Sequence, residues 1–549
     1  MALIFRWLLR LTTLSIVLVI GAFGLAYYFA SRSLPDYNAD TTAAGLSAPL
    51  EIVRDNANVP HIFGETDADV YFGLGYAHAQ DRLWQMTMLR RTAQGRLSEI
   101  FGERTLGIDK VMRRFDLYNL AVASVEAQDA PTRTALDAYA AGVNAWLAEI
   151  NKGALGRGAP EMWIFNQPIA PWQPADSLAI LKLMALQMSS QLEAEVLRAR
   201  TSLMVPSDRL RDILPDDPGA GIAALPDYAS LVPDVPRYAP NTRLAYGPLN
   251  PMQPPDLAGA SNAWAAGIER SAAGATLLAN DPHLALTAPT IWYLARMELQ
   301  SGGVIGGTIP GMPAILSGRS ADLGWGITSS YLDDLDVVLE QLNPANPEEY
   351  RTPTGWAKFR ARDSIIAIKD APAVTLKLLW SENGPVMPGA QFNLGAVTPA
   401  GYVAAINWTA LSDQDTSMSA LLAVGRARNV QDGIRAAAPF IAPSQNLILA
   451  DRTQIAMKTI GAVPARDINH QSKGRLPSYG YLPENRWQGT MPYASNPEFV
   501  NPKGGILGNT NNKTVDRPFP NNISYLWGDT QRINRWNRLM QSREVHTRE

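Results

Sequence analysis

Two short blocks in the middle of the chain hold the residues best suited to chemistry. They are Gly259-Ala260-Ser261-Asn262-Ala263-Trp264 and Asn280-Asp281-Pro282-His283. His283 follows Ser261 by 22 residues, and the chain has only five histidines. A mid-chain serine is ordinarily a surface or capping residue, and a lone histidine after a proline ordinarily caps a loop. A different chemistry opens if the bond before Ser261 is cut. The serine then carries a free α-amine beside its own hydroxyl and can use that amine as its base. Such an amine has a pKa of about 8, low enough to accept a proton near neutrality, through a bridging water if needed. The blocks therefore suggest a nucleophile that translation alone does not produce. Other nucleophile, metal and phosphate signatures are missing: there is no G-x-S-x-G elbow, H-E-x-x-H, P-loop or G-x-G-x-x-G.

The elements around these blocks fall into two regimes. Residues 50–55 read as a strand ending in a turn at 56–58. From 67 to 101 the pattern is helical, with Tyr71, Leu74, Ala77, His78, Leu83, Met86 and Leu89 at three- and four-residue steps. Further helical regions are expected at 132–150 and 174–204. Ten prolines between 215 and 258 exclude long helices and central strands there. That spacer ends just before Ser261. Beyond it, short β-type runs at 262–268, 276–278, 291–299, 336–341, 374–379, 402–407 and 446–450 predict a layered sheet.

Composition narrows the function. With 549 residues, one large domain or several smaller ones are expected. The 48 basic and 51 acidic residues leave a net charge of −3, which gives no reason to invoke nucleic acid. The absence of cysteine excludes disulfides, thiolate catalysis and cysteine-bound metals. At the N-terminus, Arg6 and Arg10 precede an uncharged run over residues 11–31, long enough to cross a bilayer. Residues 1–32 are read as an uncleaved anchor or a cleaved signal peptide, with 33–48 as a linker. The leading arginines place the body outside the cytoplasm, periplasmic or held at the inner membrane.

Several blocks together carry a family resemblance. They are Ile52-Val53-Arg54-Asp55 through Val59-Pro60-His61-Ile62, the run from Gly73-Leu74-Gly75-Tyr76-Ala77-His78 to Met86, Arg90-Arg91 and Gly95-Arg96-Leu97. The Ser-Asn-Ala-Trp block, Gly324-Trp325-Gly326-Ile327-Thr328-Ser329 and Asp333-Asp334-Leu335-Asp336 extend the match. From about residue 48 onward the chain resembles the penicillin acylase family of N-terminal-nucleophile hydrolases. The resemblance implies an α+β, four-layer αββα fold. It also implies one precursor giving two chains: a mostly helical first chain over 49–214, a spacer over 215–260 and a second chain over 261–549. Only 289 residues follow Ala260, fewer than the family's second chain holds, so a fragment, truncated gene or reduced variant is expected.

The site residues that follow are those the resemblance implies. Ser261 is the nucleophile after processing at Ala260–Ser261, and His283 orients its amine or hydroxyl. The Ser329 backbone N–H and the Asn511 side-chain amide donate to the oxyanion, with Arg532 supporting Asn511. One structural Ca2+ is held by the Glu193, Asp333 and Asp336 side chains and the Leu335 and Pro464 carbonyls. A further family aspartate falls near Asn521, where no acid stands. Positions that grip a phenyl ring fall on Gln187, Leu284 and Ser317, so an aliphatic acyl group is at least as plausible. The expected reaction is cleavage of a linear amide on a small-molecule acyl-amide substrate. The side-chain amide of a β-lactam and an acyl-homoserine lactone are the two leading substrates. A non-catalytic exported scaffold is the rival from another class.

Overall fold

The computed structural model describes residues 2–151, 158–165, 168–206, 208–214, 228–234, 261–284, 287–528 and 530–548. Among the described residues, a nine-stranded sheet packs face to face against a three-stranded one. The small sheet is Ile506–Asn509, Asn262–Ala266 and Leu277–Asp281 in that spatial order, all antiparallel. The facing strands of the large sheet are Leu323–Ser329, Gln445–Asp451 and Ile455–Ile460. Strand alternation assigns the two faces. Ala263, Ala265 and Leu507 meet Ile448, Ala450, Ile455 and Met457 between the sheets. Trp325, Leu447 and Ile460 point the other way, toward the helices. Those helices include Asp67–Gln94, Ala130–Asn151, Pro174–Met188, Ser417–Gly425 and Val430–Ala436. On the far side of the small sheet lies Gln531–Gln541, whose Trp536 covers Gly508. The layer order is thus α, β, β, α, as expected. An eight-stranded sheet running from Leu335–Asn343 through Tyr402–Trp408 adjoins this sandwich.

The helical first region folds for local reasons. Thr66 caps Asp67–Gln94 by accepting from the Asp69 amide, and Asp67 and Asp69 occupy its first turn, where the helix dipole favours acids. Gly95 ends it at φ 61°. The helix crosses Ala130–Asn151 at two glycines. A Cβ on Gly75 would lie 2.1 Å from the Tyr139 carbonyl oxygen, and one on Gly142 would lie 1.9 Å from that of Phe72.

Three expectations need correction. The helical region over 174–204 is two helices, Pro174–Met188 and Gln191–Met204, broken at Ser189 and Ser190. The break lets the Gln191 amide donate to the carbonyls of Tyr331 and Leu332, just past Ser329. Two helices absent from the expectation, Leu106–Phe115 and Leu117–Ala127, extend the helical region. Part of the spacer is structured: Tyr228–Leu231 is a helical turn, and Tyr228 and Val232 are buried in the main core. The remainder of the spacer lies outside the described residues.

The N-terminal run forms one helix, Ala2–Ser31, exposed along its length rather than packed on the body. Residues 33–48 are irregular but tethered. The Ser47 N–H and hydroxyl both donate to the Asp69 carboxylate, at 2.8 and 2.6 Å.

Candidate active site

Ser261 heads the first strand of the small sheet and is buried, at 7% exposure. Two polar residues converge on it from distant parts of the chain. Its backbone nitrogen donates to Asn511 Oδ1 at 3.0 Å. Arg532 donates to the Ser261 carbonyl at 2.9 Å, to Asn262 Oδ1 at 3.0 Å and to Asn511 Oδ1 at 3.0 Å. Asn511 Nδ2 donates to the Ser329 carbonyl at 3.0 Å. Since two donors need the Asn511 oxygen, its amide orientation is fixed by chemistry. One Nδ2 hydrogen goes to Ser329, and a primary amide has a second hydrogen to offer. Ser261, Ser329, Asn511 and Arg532 therefore lie in one place, although 271 residues separate the first and last.

Sequence reasoning passed over the residues that hold this group in position. Asn511 sits at φ 65°, the left-handed region that asparagine tolerates better than most residues. Asn509 Oδ1 fixes it there by accepting from the Asn511 N–H at 2.9 Å and from the Thr328 hydroxyl at 2.7 Å. Asn280 fastens the two sheets together. Its Nδ2 donates to the carbonyls of Asn262 and Ile327, each at 3.0 Å, and its Oδ1 accepts from Ser317 and the Ile327 N–H. One side chain thus sets the strand of Ser261 against the strand of Ser329. Gly326 makes room for it, since a Cβ there would lie 2.7 Å from that of Asn280. Asn280 was visible in the Asn-Asp-Pro-His block, but nothing in that block shows that its partners are on another sheet.

His283 takes a different place. It lies in the loop after Leu277–Asp281, half-exposed, with Nε2 3.4 Å from an Asp281 carboxylate oxygen. Among the described residues, no hydrogen bond joins it to Ser261. Ala260 lies outside the described residues.

Ser261 also opens into a narrow cavity, with about 60 Å3 of free space, between the large sheet and the helices. Its walls are almost wholly apolar, with Leu181, Met184 and Met312 on one side and Leu447 and Ile460 on the other. Of the three positions expected to shape an acyl pocket, Leu284 lines this cavity; Gln187 and Ser317 do not. Aromatic rings come instead from Trp292, Trp325 and Phe440, which the sequence reading missed.

The acids expected to bind calcium do not form a calcium cage. Arg466 lies between them. Its Nε and Nη2 donate to the two Asp336 oxygens at 2.9 Å each, and its Nη1 is 3.1 Å from Asp333 Oδ2. Burial alone would raise the Asp336 carboxyl, but the charge and hydrogen bonds of Arg466 hold it below the usual range. Glu193 is exposed on the first turn of Gln191–Met204. The buried acid of that helix is Glu195, whose Oε2 accepts from the Val337 N–H at 3.0 Å. Leu335 begins a strand of the eight-stranded sheet and Pro464 a strand of a separate two-stranded one, and a guanidinium stands between the carboxylates. Among the described residues, no group of three or more His, Cys, Asp or Glu side chains could hold one.

An inner-sheet strand headed by a buried serine, within an αββα sandwich, places the chain in the N-terminal-nucleophile hydrolase fold. Residues 49–549 match the penicillin amidase family, and the chain belongs to that family. It is similar to the acyl-homoserine lactone acylase QuiP of Pseudomonas aeruginosa, 28% identical over 526 residues, covering 94% of this chain and 61% of that protein. It is 27% identical over 525 residues to the penicillin acylase 2 proenzyme of Pseudomonas sp. (strain SE83), covering 93% and 64% respectively. To the penicillin G acylase of Escherichia coli it is 25% identical over 572 residues, covering 94% and 65%. The chain thus spans less than two thirds of the length of these relatives. A solved structure of the thermostable penicillin G acylase from Alcaligenes faecalis aligns with a TM-score of 0.46 and 24% identity over 52% of this chain and 50% of that one.

Proposed function

We propose that the protein is an acylase that hydrolyses a linear amide on an apolar acyl group, using Ser261 after the chain is cut before it. The observation that carries this reading is the position of Ser261, held by Asn511 and Arg532 at the end of the apolar cavity. The acyl chain would lie in the cavity, with its carbonyl carbon at Ser261 Oγ. The freed α-amine would take the hydroxyl proton and keep its hydrogen bond to Asn511 Oδ1. The nearby guanidinium of Arg532 disfavours a second positive charge, so it would keep that amine unprotonated. The second Nδ2 hydrogen of Asn511, with the Ser329 N–H, would meet the oxyanion. Collapse would expel the amine leaving group, and water would then hydrolyse the ester. His283 lies beside Asp281 at the surface, and this scheme needs no step from it.

Processing would follow the same geometry. Ser261 Oγ would attack the Ala260 carbonyl, giving an ester that water cleaves and leaving a chain that begins Ser-Asn-Ala-Trp. The substrate of the acyl-homoserine-lactone type is preferred because the cavity walls are mainly aliphatic. The exposed apolar helix Ala2–Tyr28 fits a signal sequence or an anchor and so an extracytoplasmic body.

A denaturing gel with N-terminal sequencing tests this directly. Wild-type protein should yield a chain starting at Ser261, and Ser261→Ala should lose both the cut and the amidase activity. An uncut wild-type chain that hydrolyses acyl-homoserine lactones would overturn the scheme.

A further inference from the structure

We propose that the Arg466 guanidinium is the structural cation of this protein, standing between Asp333 and Asp336 in place of a divalent metal. The inference concerns stability and is independent of the reaction at Ser261.

The four residues of this cluster are deeply buried. The Arg466 side chain is 3% exposed, those of Asp333 and Asp336 are 5% and 4%, and Glu195 is 5% exposed overall. Carboxylates this deep need a cation or full hydrogen bonding. Arg466 supplies both with one planar group. Two of its nitrogens take the two Asp336 oxygens, and Nη2 also donates to the Asp333 backbone carbonyl at 3.2 Å. This fork-to-carboxylate pairing is the geometry a guanidinium offers and a metal ion does not.

The surroundings are shaped to the guanidinium. Gly474, at φ 75°, packs its backbone directly on the group: a Cβ there would lie 2.6 Å from Arg466 Cζ. Trp487 donates its indole N–H to Asp336 Oδ2 and closes another side. The Gly474 contact fits a flat guanidinium and not a hydrated ion.

Glu195 Oε1 is buried and accepts no hydrogen bond, and Asp333 Oδ2 meets only the Arg466 guanidinium, at 3.1 Å. The charges of Asp336, Asp333 and Arg466 all bear on Glu195. With the guanidinium present, an added divalent ion would meet like charge at close range. The same cluster therefore excludes metal in the wild-type chain.

The experiment uses the full chain and two measurements. Wild-type protein grown with calcium is analysed for metal and melted with and without EGTA. The expected result is sub-stoichiometric metal and a Tm change under about 1 °C, because a chelator removes nothing that stabilises the fold. A stoichiometric divalent ion, or a clear loss of Tm in EGTA, would overturn the proposal. Arg466→Ala is then purified in calcium and in chelator. It should melt several degrees below wild type in both, because two buried carboxylates lose their cation. An Arg466→Ala chain that melts with wild type would refute the role; if the variant does not fold, the metal content and EGTA melt of wild type decide.

Discussion

Asn511 Oδ1 accepts from both Ser261 and Arg532 at 3.0 Å, so the two donor nitrogens are no more than about 6 Å apart. A fixed positive charge at that distance lowers the affinity of a freed α-amine for its proton. Arg532→Ala removes the charge. The amine pKa should rise by about one unit for a partly screened pair, and a larger fraction of enzyme is then protonated at a given pH. The acid limb of the kcat/KM profile should therefore move to higher pH, beyond any uniform loss from a loosened Asn511. A variant that is slower at every pH by the same factor, with the limb unmoved, would show that Arg532 only positions Asn511. Little of this was legible in the sequence. The residues at 261, 329, 511 and 532 were found by resemblance, and the structure assembles them. Asn280 and Asn509 were missed because a single asparagine has no pattern. Their importance lies in partners on another strand, which spacing does not reveal. That the acids named for calcium meet Arg466 was hidden for a related reason. Glu193 and Glu195 differ by two positions on a helix, so they face different ways, and Arg466 carries no mark in the sequence of the acids it will meet.

The helical elements were the more readable part, since periodicity and capping are local signals. The Gly73–Met86 block carried part of the family resemblance, and much of it is packing. Gly75 and Gly142 let two helices approach until the backbone of one touches that of the other. Gly142→Ala would drive a methyl group into the Phe72 carbonyl, where no side chain can move aside. A loss of about 2–3 kcal/mol is expected from overpacking, read by urea unfolding; a loss below about 0.5 kcal/mol would mean the crossing has slack. His78 belongs to the same packing. It is fully buried, its Nδ1 is 2.7 Å from the Tyr139 hydroxyl, and its Nε2 has no partner. Burial, with a smaller contribution from Arg82, pushes its pKa down from 6.5 to about 3. Between those values the unfolded chain binds a proton that the folded chain refuses, so this histidine's contribution to stability falls as pH falls. In His78→Gln that dependence vanishes. The destabilisation of the variant relative to wild type should shrink by about 1.4 kcal/mol for each pH unit below 6.5. A constant difference between pH 7 and pH 5 would show that His78 is not held neutral.

At the scale of the whole molecule, the two sheets and the helical layer enclose the space that would select the acyl group. The cavity runs from Ser261 between Pro174–Met188, Ser417–Gly425, the segment 437–443 and the face of the large sheet. Flexible Leu and Met side chains line much of it, and such walls accept a chain of methylenes along its length. Trp292, Trp325 and Phe440 supply ring surface, so an aryl group is not without contacts. The balance turns on buried length. Each methylene transferred from water is worth about 0.8 kcal/mol, and an octanoyl chain carries enough of them to outweigh an edge-to-face ring contact of about 0.5–1.5 kcal/mol. We therefore expect kcat/KM for octanoyl-homoserine lactone to exceed that for the phenylacetyl analogue by tenfold or more, with penicillin G behind both. The two lactones share a leaving group, so their ratio reports on the cavity alone. Narrowing the cavity should reverse the order: Met184→Phe fills the path of a long chain and should cost the octanoyl substrate more than the phenylacetyl one. A ratio under tenfold, less than about 1.4 kcal/mol, would mean that ring and chain are held equally well. Penicillin G leading by tenfold would mean that the three aromatic residues, not the aliphatic walls, define the site.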